Sequence, residues 1–125
     1  MLDFILQPTP IQRRLGRSLL VLALMVISYL VFSQPSYSAP MPHFDKVGHF
    51  VAFFGLAALL QWATNARLGW QLTLLFGYAL MIELVQAQLP YRVADPADLV
   101  ADMAGALSFY LCLMGLRLWS RRSVS

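Results

Sequence analysis

The stretch Leu68–Leu89, LGWQLTLLFGYALMIELVQAQL, decides the fold. It is 22 residues long, and Glu83 is the only charge between Arg67 and Arg92. A helix needs about 20 mostly apolar residues to cross the hydrocarbon layer of a bilayer. This run meets that length with no soluble alternative, since a helix apolar on every side must be covered on every side. It also carries one carboxylate far inside its span. Both facts, the span and the acid within it, recur on either side.

Outward from this segment the charges leave further gaps. No Asp, Glu, Lys or Arg occurs between Arg17 and Asp45, between Lys46 and Arg67, or between Asp102 and Arg117. Spanning segments are therefore expected at Ser18–Ser33 (extendable to Leu15), Val47–Ala66, Leu68–Leu89 and Asp98–Leu116. The whole chain of 125 residues is 59% apolar and 12% charged, about half the charge of an ordinary soluble domain. The expected fold class is an all-α integral membrane protein, a four-transmembrane-helix bundle. A cleaved signal peptide is the rival reading of the first segment. Its apolar run is too long for a signal core of about 7–15 residues, and Tyr37 and Pro40 flank Ala39 poorly for cleavage.

Basic residues orient the bundle. Arg13, Arg14, Arg17, Arg67, Arg117, Arg121 and Arg122 fall on one side of four spans, and only Lys46 and Arg92 on the other. That asymmetry places both termini in the cytoplasm. Trp70 and Trp119 stand where interfacial anchors belong. The basic excess is thus spent on topology, and a pI near 9.4 does not point to nucleic acid. The single Cys112 excludes an intrachain disulfide. The chain divides into a leader (1–14, expected to lie mobile or on the surface through Gln12), a first helix (15–33), an outer loop (34–44), a three-helix membrane core (45–118) and a basic tail (119–125). The Thr64–Arg67 turn makes the second and third spans a hairpin, and Pro90–Pro96 forms a second outer loop. Small residues at Gly48, Ala52 and Gly55, and at Ala101, Ala104, Gly105 and Ser108, are placed for close helix contact.

Polar residues converge near the outer face. Asp45, Lys46 and His49 open the second span, Glu83 and Gln86 lie near the outer end of the third, Arg92 is in the loop, and Asp95, Asp98 and Asp102 enter the fourth. At a rise of about 1.5 Å per residue, Glu83 and Asp102 each sit roughly 10 Å below their loops, and His49 roughly 6 Å below Asp45. Spacings of three and four residues keep each set on one helix face. Helix capping accounts for Asp45, Asp95 and Asp98, with Pro96 at the first helical position, and Lys46 can snorkel. Capping does not reach Glu83, Asp102 or His49. A charge within a spanning helix costs about 2.5–3.5 kcal/mol on insertion scales and usually serves function; a hydrogen-bonded tie between helices is the plainer alternative. Five acids face Lys46 and Arg92, an excess of negative charge that would repel a bare phosphate unless helix N-termini, protons or a divalent cation offset it. His43, His49, Glu83 and Asp102 are the donors such a cation would use, but their spacing matches no metal motif. Neither a metal nor any other cofactor is expected.

These residues also carry a family pattern. Asp45-Lys46-Val47-Gly48-His49-Phe50 with Phe53, Glu83-Leu84-Val85-Gln86, Pro90-Tyr91-Arg92 and Asp98-Leu99-Val100-Ala101-Asp102-Met103-Ala104-Gly105 resemble the VanZ-like membrane proteins, over about Asp45–Leu116. The resemblance implies a small polytopic protein of the bacterial cytoplasmic (inner) membrane, in a family whose namesake is associated with low-level teicoplanin resistance. Asp102 departs from a frequent asparagine, and Ser108-Phe109 stands where a second glycine is often seen.

Three functions are open at this point. One is an outward pocket of Asp45, Lys46, His49, Glu83, Gln86, Arg92, Asp98 and Asp102 that binds the headgroup of a lipid-linked envelope precursor or a glycopeptide. Another is a membrane enzyme using Glu83 or His49 as general base with Asp102 as orienter, since acid–base work wants a group tuned near working pH; no nucleophile motif accompanies it. The third is a structural subunit in which the cluster only joins helices.

Overall fold

The computed structural model describes residues 6–33, 44–90 and 95–124. It contains four helices long and apolar enough to cross a membrane: α1 (Pro10–Phe32), α2 (Phe44–Ala63), α3 (Leu68–Gln86) and α4 (Pro96–Val124). No strand occurs among the described residues. The expected all-α, four-span architecture is what the chain adopts.

Helix boundaries differ from the sequence-based expectation for local reasons. α1 begins at Pro10, inside the segment read as a leader, because Thr9-Pro10-Ile11-Gln12 forms a capping box. The Thr9 hydroxyl accepts from the Gln12 amide at 3.2 Å, and the Thr9 amide donates to the Gln12 side chain at 2.9 Å. Two otherwise unsatisfied N–H groups are thereby paired. α4 runs on to Val124, through the segment read as a basic tail, since nothing after Leu116 breaks a helix. Arg121 and Arg122 in its last turn complement the negative end of the helix dipole. α2 stops at Ala63, and residues 64–67 form the hairpin turn.

The interior is built on α2, which packs most extensively on α4 and also touches α1 and α3. Phe53, Leu56, Ala57, Leu60, Leu75 and Ile82 form the heart of the core. Large apolar side chains such as Met25, Val51, Trp70, Leu84 and Leu111 face outward, as a lipid solvent allows. Gln71, Glu83, Gln86, Asp98 and Asp102 are buried instead. This inversion is the physical mark of a bilayer protein, because hydrocarbon offers polar groups no partner.

Lipid gives helices no hydrophobic reason to associate, so close backbone approach and polar contacts must do it. Gly105 provides the tightest approach: a Cβ there would lie 2.9 Å from the Phe50 carbonyl carbon and collide with its oxygen. Gly16 lets α1 cross the end of α2, where a Cβ would meet the Trp62 ring at 2.8 Å. Gly48 and Gly55 have open space around their would-be Cβ positions. The small-residue stripe expected on the second span therefore contributes no glycine to the α2–α4 seam. Helix ends are also joined across the bundle. Arg17 Nε donates to the Ala63 carbonyl at 3.1 Å, and Arg13 Nη1 reaches the Trp62 carbonyl at 3.5 Å. These carbonyls lie at the α2 C-terminus, where acceptors lack intrahelical partners and cations are favoured.

Candidate functional site

The polar cluster assembles at the end of the bundle where α2 and α4 begin and α3 finishes. Lys46 and His49 stand in the first turns of α2, Glu83 and Gln86 in the last turns of α3. Asp95 precedes α4, with Asp98 in its first turn and Asp102 one turn further in. Asp95 caps α4 as expected: its Oδ1 accepts from the Ala97 amide at 2.9 Å. Arg92 lies outside the described residues, as does the side chain of Asp45.

Contacts run continuously through the cluster. Lys46 Nζ sits 2.8 Å from Asp95 Oδ2 and 3.2 Å from Asp98 Oδ1. His49 Nδ1 is 2.7 Å from Asp102 Oδ1, and its Nε2 is 3.8 Å from Asp98 Oδ2. The Asp95 amide donates to Glu83 Oε2 at 3.0 Å, tying α3 to the start of α4. Gln86 Nε2 donates to the Val31 carbonyl of α1 at 2.8 Å. The capping role proposed for Asp98 is not its whole use, since it is 3% exposed and faces both Lys46 and His49. Asp102 is wholly buried. An ionised carboxylate only accepts, so when Asp102 is charged it is His49 Nδ1 that carries the shared hydrogen. Nε2 of a neutral ring then keeps its lone pair.

Most significant for chemistry is what remains unsatisfied. Among the described residues, Glu83 Oε1, Gln86 Oε1 and Asp102 Oδ2 are buried with no hydrogen-bond partner. Asp98 Oδ1 also lacks hydrogen-bond geometry, although Lys46 is close enough to pair with it electrostatically. All four are acceptors. Among the described side chains, Lys46 pairs with Asp95 and Asp98, while Asp102 meets His49 and Glu83 accepts from the Asp95 amide. The α4 N-terminus offsets only about half a charge.

His49, Glu83 and Asp102 each place one potential ligand atom within 4.8 Å of the others. Sequence reasoning brought these three helices to a common depth, and the structure brings the side chains together. Two shallow surface depressions, one beside Arg67, Trp70 and Thr73 and one beside Leu80, Leu84 and Gln88, include no member of the cluster. The cluster is a packed network close to one end of the bundle.

A second network at the opposite end went unread in the sequence. Gln71 Nε2 donates to Gln61 Oε1 at 2.7 Å and to the Ala66 carbonyl at 2.8 Å, and its Oε1 accepts from Tyr110 at 2.8 Å. Gln71 is 1% exposed and every polar atom of its side chain is used. A glutamine within a spanning segment was the available signal; its partners came from folding. Near the bundle middle, Tyr78 shares a 2.7 Å hydrogen bond with Ser28 and stacks on Phe53. These satisfied contacts are structural, and they contrast with the orphaned acceptors around His49.

Comparison with known proteins places the chain. A family model described as VanZ/LLP1 matches residues 4–119. An uncharacterized protein of Schizosaccharomyces pombe is 36% identical over 94 residues, covering 70% of this chain and 56% of that relative. The chain thus spans about half the length of the curated relative it matches. No solved structure matches.

Proposed function

Because the chain belongs to the VanZ/LLP1 family of multi-pass membrane proteins, we propose that it recognises a polar headgroup at the outer face of a bacterial cytoplasmic membrane. The ligand class is a lipid-linked envelope precursor or a lipid-tailed glycopeptide. The observation that supports this reading is the set of buried acceptors on Glu83, Gln86 and Asp102 without a partner among the described residues, at the bundle end that the positive-inside rule would turn outward. Sugar hydroxyls and amines supply the donors these oxygens lack. Lys46, already held by Asp95 and Asp98, has little charge to spare for a phosphate, so hydroxyl and amine groups are the better match. Arg92, which the sequence puts in the same loop, serves any anionic group at the rim.

A part in glycopeptide or teicoplanin resistance follows from the same reading, through competition for a headgroup or capture of the drug's lipid tail. Titration of the protein in nanodiscs with lipid-linked precursors and with teicoplanin tests it. Saturable binding weakened by Glu83→Gln and Arg92→Ala is expected; binding indifferent to both substitutions refutes it.

One observation favours an enzyme as the second reading. The 2.7 Å His49–Asp102 contact is the geometry of a base held by an orienting carboxylate. Turnover of an envelope lipid that disappears in His49→Gln, with binding retained, distinguishes catalysis from recognition. In a purely structural subunit, Glu83→Gln would lower stability and abundance and change nothing else.

A further inference from the structure

We propose that His49, Glu83 and Asp102 form a binding site for one first-row divalent cation, Zn²⁺ or Mn²⁺. Three independent features converge on it. One imidazole nitrogen and two carboxylate oxygens, from three different helices, lie within 4.8 Å of one another. Ligand atoms held about 2.0–2.2 Å from a common tetrahedral centre are roughly 3.4 Å apart, so only a small closing movement separates this arrangement from a coordination shell. Second, Glu83 and Asp102 are each more than nine-tenths buried and each keeps an oxygen with no hydrogen-bond partner among the described residues. Metal ligation is one of the few ways a buried carboxylate is stabilised. Third, Glu83, Asp98 and Asp102 bring three carboxylates about one imidazole, with Lys46 paired to Asp98, and a charge of plus two offsets that excess.

The donor set selects the ion. Carboxylates alone suit Mg²⁺ or Ca²⁺, whereas an imidazole in the set favours Zn²⁺ and its first-row neighbours. Asp98 Oδ2, 3.8 Å from His49 Nε2, stands beside the nitrogen that keeps its lone pair and adds a further carboxylate at the edge of the site. Three protein ligands leave at least one position open, the pattern of a site that engages a further molecule. The cation reading does not depend on headgroup recognition, since it concerns the protein and the ion alone. In the sequence the ligands are 34 and 19 positions apart, so no motif announces them.

The test uses metal-stripped full-length protein, carrying a tag without histidine, in phosphatidylcholine nanodiscs. Zn²⁺ is titrated against a chromophoric chelator, and Mn²⁺ is followed by electron paramagnetic resonance. One ion per chain is expected, with at least tenfold weaker binding in Glu83→Gln and in Asp102→Asn, and unchanged binding in Tyr110→Phe. Saturable Zn²⁺ should also raise the unfolding temperature of the wild-type chain, which guards against a variant that fails to fold. Absence of stoichiometric binding to the wild type overturns the proposal. So does binding that survives both substitutions. Because no lipid ligand is added, failure here leaves headgroup recognition to its own titration.

Discussion

Substituting Gly105 by alanine puts one methyl group into the α2–α4 seam, and the structure sets what it must do. The new Cβ would lie 2.9 Å from the Phe50 carbonyl carbon and 3.1 Å from its Cα. Carbon pairs rest at roughly 3.5–4.0 Å, so α4 has to withdraw by about 0.6 Å or more. The obstacle is backbone and cannot rotate away. Overpacking of this kind costs about 1–3 kcal/mol. Asp102 lies one turn before Gly105 on the same helix, and its 2.7 Å contact to His49 would stretch past the roughly 3.2 Å limit of a good hydrogen bond. Breaking a charged hydrogen bond adds about 1.5–3 kcal/mol. The gain in helix propensity, at most about 1 kcal/mol, does not cover these losses. Gly48→Ala and Gly55→Ala introduce the same methyl into open space and are expected to be neutral or slightly stabilising. Thermal unfolding of the three variants in one detergent, followed by intrinsic fluorescence, compares them directly. A Gly105→Ala protein as stable as Gly48→Ala would refute the reasoning.

Tyr110→Phe leaves the buried Gln71 Oε1 without its donor, at a cost of about 1–3 kcal/mol; the unfolding midpoint should fall while Zn²⁺ affinity stays constant. The orientation expected from the basic residues predicts that a green fluorescent protein fused at either terminus fluoresces and a periplasmic phosphatase fused at either terminus is inactive; the opposite pattern overturns it. Cys112 is exposed on α4, roughly 24 Å along the helix from Pro96, and so within a hydrocarbon core about 30 Å thick. A membrane-impermeant maleimide should leave it unlabelled in intact membranes and label it after denaturation in detergent.

The two polar networks show how burial separates structural from functional use. Around Gln71, each donor and acceptor finds a protein partner, and the result is a clamp between α3, α4 and the hairpin turn. Around His49, buried carboxylate oxygens of Glu83 and Asp102 find no hydrogen-bond partner among the described residues. Unpaired buried acceptors are costly, and retaining several at one end of a small bundle is reasonable where something else supplies the complement.

Composition and charge spacing alone determined that this chain has four membrane spans, and roughly where. Length and apolarity are properties of a segment by itself, and the bilayer reads them without reference to other segments. Periodicity also put His49, Glu83 and Asp102 at a common depth, because the helical rise converts residue number directly into height. The Thr9–Gln12 capping box was equally local and could have been read from the same residues. Rotation of each helix about its axis was not local. It was decided by backbone contact at Gly105 and Gly16, and by Arg13 and Arg17 reaching the end of α2. On α3, the Asp95–Glu83 and Tyr110–Gln71 hydrogen bonds accompany the rotation that brings Glu83 near His49 and Asp102. A sequence states which residues share a helix face; which face meets which neighbour is settled by packing, since lipid is indifferent to the choice.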